Sequence, residues 1–185
     1  MNAIELNNLN TSERVSFFNE KYTKFECISQ FKYAGGTLAL ATLSVYYEPA
    51  FINVEGNLSI EGIKESDIFQ FDLDERTAYF NQLADPKLNT FKFDYVTKFC
   101  NVIDKTTDQL YAKARKIDDT PVYINLSGIE KNIRDLVFLD DLGIAKMKLK
   151  LFIGELEKLP KIAEYPFGIY VHADMLQEII DKYKK

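Results

Sequence analysis

His172 is the only histidine in the chain, so any imidazole acid–base or triad chemistry must pass through it. It closes the run Phe167-Gly-Ile-Tyr-Val-His172, just before a helix start at Asp174. Strand-to-helix junctions are where mixed folds place reactive side chains. Carboxylates to serve it stand in Asp72-Leu-Asp-Glu75, a set that could hold a hard cation or trade protons. Against that chemistry, no second acidic element stands at a metal-site spacing. No Gly-x-Ser-x-Gly elbow accompanies His172 either, and Ser127-Gly128 is only half of one. The simpler account makes His172 a neighbour of a capping Asp174, and Asp72, Asp74 and Glu75 the acidic first turn of a helix. Asp118-Asp119 reads as a loop pair and Asp140-Asp141 as a helix-end pair. A single histidine excludes multi-His metal sites, and no cofactor is expected.

Lys146, Lys148 and Lys150 alternate with Met147, Leu149 and Leu151, which sets three cations on one side of a strand. Such a comb guards a sheet edge against mispairing or meets an acidic partner surface. Cys27 and Cys100 are too few for a disulfide scaffold, and apolar neighbours mark both as buried free thiols. Gly35-Gly36 suits a hairpin turn, not a phosphate loop, because no strand–loop–helix order surrounds it. Tyr33, Tyr46, Tyr47, Tyr123 and Tyr170 fall on predicted strands, and an exposed tyrosine patch would mark a protein interface.

The composition is that of a folded domain: 185 residues, 46% hydrophobic and 28% charged. One domain spanning 1–185 is expected, with residues 1–10 flexible. A net charge of −5 disfavours a nucleic-acid partner, which calls for a basic footprint. No apolar run reaches the roughly eighteen residues of a membrane span. Residues 1–10 lack a basic start and an apolar core, so a cytoplasmic location without a secretory leader is expected.

Positioning of these groups falls to elements that the pattern outlines. Residues 25–63 read as one antiparallel sheet. A two-residue Gly35-Gly36 loop pairs Tyr33 with Leu38, Phe31 with Leu40 and Cys27 with Ser44. A three-residue Glu55-Gly56-Asn57 loop, with Asn57 left-handed, pairs Val54 with Leu58 and Ile52 with Ile60. A helix capped by Thr11 or Ser12 precedes that sheet. A strand at 68–73, or in its place a helix beginning at Ser66, and a short helix at 75–84 follow it. Three-and-four spacing of Val96, Phe99, Cys100, Ile103, Leu110, Tyr111 and Ala114 predicts a long helix. Strands are expected near 122–126, 146–152 (with a helix to Leu159 as the alternative there) and 167–172, a helix over 129–142 stopped by Gly143, and a last helix from Asp174. No internal repeat is evident. Consecutive strands followed by helices point to an α+β fold, mainly antiparallel, with helices packed on one face of the sheet.

By elimination the sequence points to a soluble, non-enzymatic protein-interaction factor: an inhibitor, an immunity-type factor or an accessory subunit. The alternative is an enzyme or small-ligand binder using His172 with Asp72 or Asp74.

Overall fold

Three of the helices among the described residues open on a polar side chain that accepts from an N–H three residues forward. Asn2 accepts from the Glu5 N–H at 3.0 Å while Glu5 accepts from the Asn2 N–H at 2.9 Å, satisfying two orphan donors of the first turn. The same exchange joins Asn10 to Glu13 and Asp72 to Glu75. The computed structural model describes residues 1–22 and 24–140, the single positions Gly143 and Leu149, and two short strands beyond them. Its helices are α1 (Ala3–Asn8), α2 (Thr11–Tyr22), α3 (Glu65–Gln70) and α4 (Leu73–Ala84). The Asn-rich start, expected to fray, holds α1 with Leu6 buried. Asn10, not Thr11 or Ser12, caps α2.

The strands are β1 (Phe25–Ile28), β2 (Leu38–Leu43), β3 (Pro49–Asn53), β4 (Phe93–Val96), β5 (Val102–Asp104), β6 (Leu110–Lys116), β7 (Pro121–Asn125), β8 (Glu130–Lys131) and β9 (Leu136–Phe138). Contacts divide the chain into two units, Met1–Val137 and Phe138–Lys185. In the second, β10 (Ala163–Tyr165) pairs antiparallel with β11 (Gly168–Tyr170), inside the strand expected at 167–172. The first sheet has the order β1-β2-β3, and the second runs β8-β7-β6-β5-β9 with β4 also on β6. The fold is α+β with antiparallel sheets, as the order of elements implied.

Several local expectations fail for identifiable reasons. The long helix over 96–114 is instead β4, β5 and β6. Asp104 Oδ1 gathers the Thr106 and Thr107 N–H groups at 2.7 and 2.9 Å, which turns the chain back on itself. β6 buries both Tyr111 and Ala112, so its apolar residues do not simply alternate and the strand period is obscured. The strand expected at 68–73 is α3 and the start of α4; Ile68 and Phe71 are buried while Phe69 is exposed. In place of the helix expected over 129–142, the described residues hold β8, a 3₁₀ turn at Ile133–Asp135 and β9, leaving Ile129 and Ile133 exposed.

The first hairpin keeps its Tyr33–Leu38 pair, but its turn is a 3₁₀ segment with Ala34, Gly35 and Gly36 all at positive φ. Further out the register slips, and Cys27 faces Thr42 instead of Ser44. In the second hairpin Ile52 bridges Leu58, not Ile60. Gly56, not Asn57, is the left-handed residue at φ 85°. Asn53 Oδ1 decides this by accepting from the Glu55 and Asn57 N–H groups at 3.0 Å each. Cys27 and Cys100 are both exposed, against the expected burial. Gly143, expected to stop a helix, is itself helical, and its N–H donates to Asp140 at 2.7 Å.

The first unit is built twice, a repeat not evident in the linear scan. The run Glu13-Arg14-Val-Ser-Phe-Phe18-Asn19 returns as Glu75-Arg76-Thr-Ala-Tyr-Phe80-Asn81. Lys24-Phe25 returns as Lys92-Phe93, and Pro49-Ala-Phe-Ile-Asn53 as Pro121-Val-Tyr-Ile-Asn125. Their hydrogen bonds correspond atom for atom. Arg14 Nε donates to the Ile28 carbonyl at 3.1 Å, and Arg76 Nε to the Val96 carbonyl at 3.2 Å. Nη1 of each reaches back to a helix-preceding carbonyl, Leu9 for Arg14 and Phe71 for Arg76. Asn19 exchanges bonds with Phe25 N–H and C=O, as Asn81 does with Phe93. An Asn amide carries both donor and acceptor, so it satisfies an edge-strand residue as a neighbouring strand would. Asn125 repeats the turn role of Asn53, accepting from the Ser127 and Ile129 N–H groups.

Matching cores follow. Leu6, Phe18, Phe25, Ile28, Phe31, Ala39, Ala41 and Ile52 in the first copy answer to Ile68, Phe80, Phe93, Val96, Phe99, Ala112, Ala114 and Ile124 in the second. Helices of the second copy also receive Phe51 from the first sheet. Helix pair, sheet, helix pair and sheet therefore alternate, and each fully buried Phe is worth about 1.5–3 kcal/mol.

Candidate functional site

Where two copies share a scaffold, their departures from one another locate what the scaffold does not need. One departure is the turn after the second strand of each copy. In the second copy it is Ile117-Asp118-Asp119-Thr120, an ordinary polar turn in which Asp118 accepts from the Thr120 N–H at 3.0 Å and Asp119 is left-handed at φ 65°. In the first copy it is Ser44-Val45-Tyr46-Tyr47-Glu48, one residue longer. Val45, Tyr46 and Tyr47 are 69%, 55% and 74% exposed. They were expected within strands, yet they crown the turn between β2 and β3. Tyr47 occupies the left-handed position at φ 56°, which suits Asp and costs a bulky side chain roughly 1–2 kcal/mol. Glu48 ends the turn; burial, and then Asp94 and Asp74 nearby, push its carboxyl above the ordinary value.

The second departure lies between helix and edge strand. Asn19 is followed closely by Phe25, but Asn81 and Phe93 are separated by an added loop, 85–90. Asp85 organises it: Oδ1 accepts from the Lys87 N–H and Oδ2 from the Thr90 N–H, each at 3.0 Å. Burial pushes that carboxyl up, but these bonds hold it below its ordinary value. Leu88, left-handed at φ 49°, is driven into the core of the first copy and is 3% exposed.

Turn and loop face one another across a groove of about 560 Å³. Phe25, Leu43, Leu58 and Leu88 supply its apolar lining, Tyr46 stands on one wall, and Lys24 and Lys87 sit at its margins. Tyr46 is braced edge-on by Phe91, with ring centroids 5.3 Å apart. The site can grip a side chain and orient charge; it carries no nucleophile beside a base.

A second cleft, of about 550 Å³, lies between the copies and is lined by Lys32, Tyr33, Gly35, Lys64, Asp67 and Glu75 among others. Here the Tyr33 hydroxyl donates to Glu75 Oε1, and Lys32 Nζ approaches the same oxygen at 3.7 Å. Burial, then the Glu75 bond, pushes the Tyr33 phenol well above its usual value, so it stays protonated. Glu75 Oε2 is taken by the Asp72 N–H at 2.9 Å. The arrangement fastens α4 to the β1–β2 loop.

The acidic trio thus has helix-start work. Asp72 caps α4, Glu75 completes the box and reaches Tyr33, and Asp74 is exposed in the first turn. Among the described residues no group of three His, Cys, Asp or Glu side chains could hold a metal. None of the helices among them is long and apolar enough to cross a membrane. His172 and the Lys146, Lys148, Lys150 comb lie outside the described residues; Leu149, inside the comb, is helical and exposed. Sequence reasoning missed the groove because both walls come from segments far apart in the chain. Aligning the two Glu-Arg…Phe-Asn runs would have exposed the tyrosine turn as the odd one out. Compared with known protein families, curated proteins and solved structures, the chain finds no match in any of the three.

Proposed function

We propose that this chain is a non-enzymatic protein-interaction factor, of the inhibitor, immunity-type or accessory-subunit kind, and that the turn at 44–48 is its contact. One observation carries the reading: Tyr46 and Tyr47 stand exposed where the second copy places Asp118 and Asp119. Folding does not ask for tyrosine there, since the polar turn serves the same strand connection. Exposed tyrosines on a rigid turn supply large contact area at low entropic cost, which is why interfaces are rich in them. The groove beside the turn gives an incoming side chain somewhere to go.

The test replaces residues 44–48 with the Ile-Asp-Asp-Thr turn of the second copy. Circular dichroism and urea unfolding should show the fold retained. Affinity capture from the source cells, quantified by mass spectrometry, should lose the proteins that the wild-type chain enriches. An identical capture profile from the folded variant would reject this contact.

A further inference from the structure

We infer that the groove between the tyrosine turn and the 85–90 loop docks an acidic, extended segment of a partner protein that carries an apolar anchor side chain; this rests on the interaction reading above. Lys24 and Lys87 are the charged residues among those lining the groove, and no carboxylate lines it. Neither lysine enters an ion pair among the described residues, and both are exposed. A chain of net charge −5 that sets two cations, neither ion-paired among the described residues, at one apolar groove is matched there to anions. The floor of Phe25, Leu43 and Leu88 is preformed and largely buried, the setting in which an anchor side chain gains most. Asn89 lines the same groove with an amide that can both donate and accept, and Asn57, whose Nδ2 donates to Glu55 at 3.2 Å, adds an acceptor oxygen.

Backbone geometry adds an independent observation. Leu88, which lines the groove, and Tyr47, next in sequence to the lining Tyr46, are bulky residues at positive φ. Strain of that kind persists where the surroundings over-determine it, and it gathers at ligand clamps. Leu88 stands in a loop that the first copy lacks, whereas the left-handed position of Tyr47 is shared by Asp119, so the departure there is the bulky side chain and not the backbone.

A phage-displayed random peptide library selected on the full chain tests the occupant. Enriched peptides should set Asp or Glu around a Leu, Phe or Tyr. A labelled synthetic peptide of the leading sequence should bind about tenfold more weakly to the Lys24→Glu, Lys87→Glu double variant. Binding should also weaken as salt screens the charges. Both lysines are exposed, so the variant should fold; the milder Lys24→Gln, Lys87→Gln pair should give an intermediate loss. Neutral or basic winners, or acidic winners indifferent to both variants, overturn the inference. Concentration-dependent dimerisation abolished by the double variant would assign the groove to a second copy of the chain, and tight oligonucleotide binding would assign it to nucleic acid; either overturns it. Loss of capture on the turn transplant together with neutral or basic winners removes the acidic occupant alone. Unchanged capture with no peptide selected removes both proposals.

Discussion

Asn19 and Asn81 make the same three hydrogen bonds from the same helix position, but Asn81 is 1% exposed and Asn19 only half-buried. The reason lies in what stands behind each helix. α2 has a sheet on one side, whereas α4 touches β3 on one side and β4 on the other. An identical tether therefore matters unequally: water substitutes more easily for a lost partner at Phe25 than at Phe93. Sequence identity between copies marks the scaffold. Position in the stack decides how much each scaffold residue is worth.

That comparison can be broken first at the aromatic pair that the copies share. Phe18→Ala and Phe80→Ala should each lower unfolding free energy by about 3–5 kcal/mol in urea titrations, since both rings are 1% exposed. An effect under about 1 kcal/mol at either site would mean that the copies are not equivalent cores. The tether comes next. Asn81→Ala should cost about 3 kcal/mol and Asn19→Ala about 1 kcal/mol, because only the former leaves fully buried backbone groups unpaired. Equal losses would contradict the layered account.

At the turns, Tyr47→Gly should stabilise by about 1 kcal/mol through relief of the left-handed backbone. Asp119→Gly should change little, since Asp tolerates that conformation. A destabilised Tyr47→Gly would show that the tyrosine packs for stability after all.

The finest distinction concerns acid. Asp104 in the second copy is bonded by Lys131 and by Thr106, which hold its carboxyl well below the usual carboxylate range. The folded state thus binds that proton less readily than the unfolded chain does. Its contribution is complete above the unfolded value of about 4 and is lost as pH falls towards the folded value. The first copy's hairpin turn, Ala34–Gly36 with Thr37, carries no carboxylate. Asp104→Asn should therefore flatten the fall in urea midpoint below about pH 4. An unchanged slope would remove Asp104 from the acid response.

Much of the scaffold was legible where one residue type does one job. The acidic start of the helix at 73–84, the strand expected at 122–126 and found at Pro121–Asn125, and the Tyr33–Leu38 pair across the glycines all follow from local chemistry, whereas the Asn2 and Asn10 caps were missed. The strand β6, covered on two faces, was not legible. Its Tyr111-Ala112 pair buries neighbours on opposite faces, which erases the alternation that reports a half-exposed strand. The register of the second hairpin slipped because Asn53 shapes its turn through side-chain bonds that no hydrophobic pattern records, and that of the first because a bulge falls between Phe25 and Cys27. Of the candidate site, the exposed tyrosines were named as the feature to seek. Their partner loop was hidden because Leu88 reaches a core built largely from the first part of the chain.

Gln82 spans the two copies, accepting from the Phe51 N–H at 2.5 Å and donating to the Phe51 carbonyl at 2.9 Å. At the matching place in α2 stands Glu20, exposed at the outer end of the stack. An ionised carboxylate accepts only, so it cannot return a proton to a strand carbonyl as the amide does. A sheet from another molecule meeting α2 would find no two-way grip, and its own carbonyl would face a negative charge. One oxygen in place of one nitrogen thus removes from α2 the two-way strand grip that Gln82 gives α4.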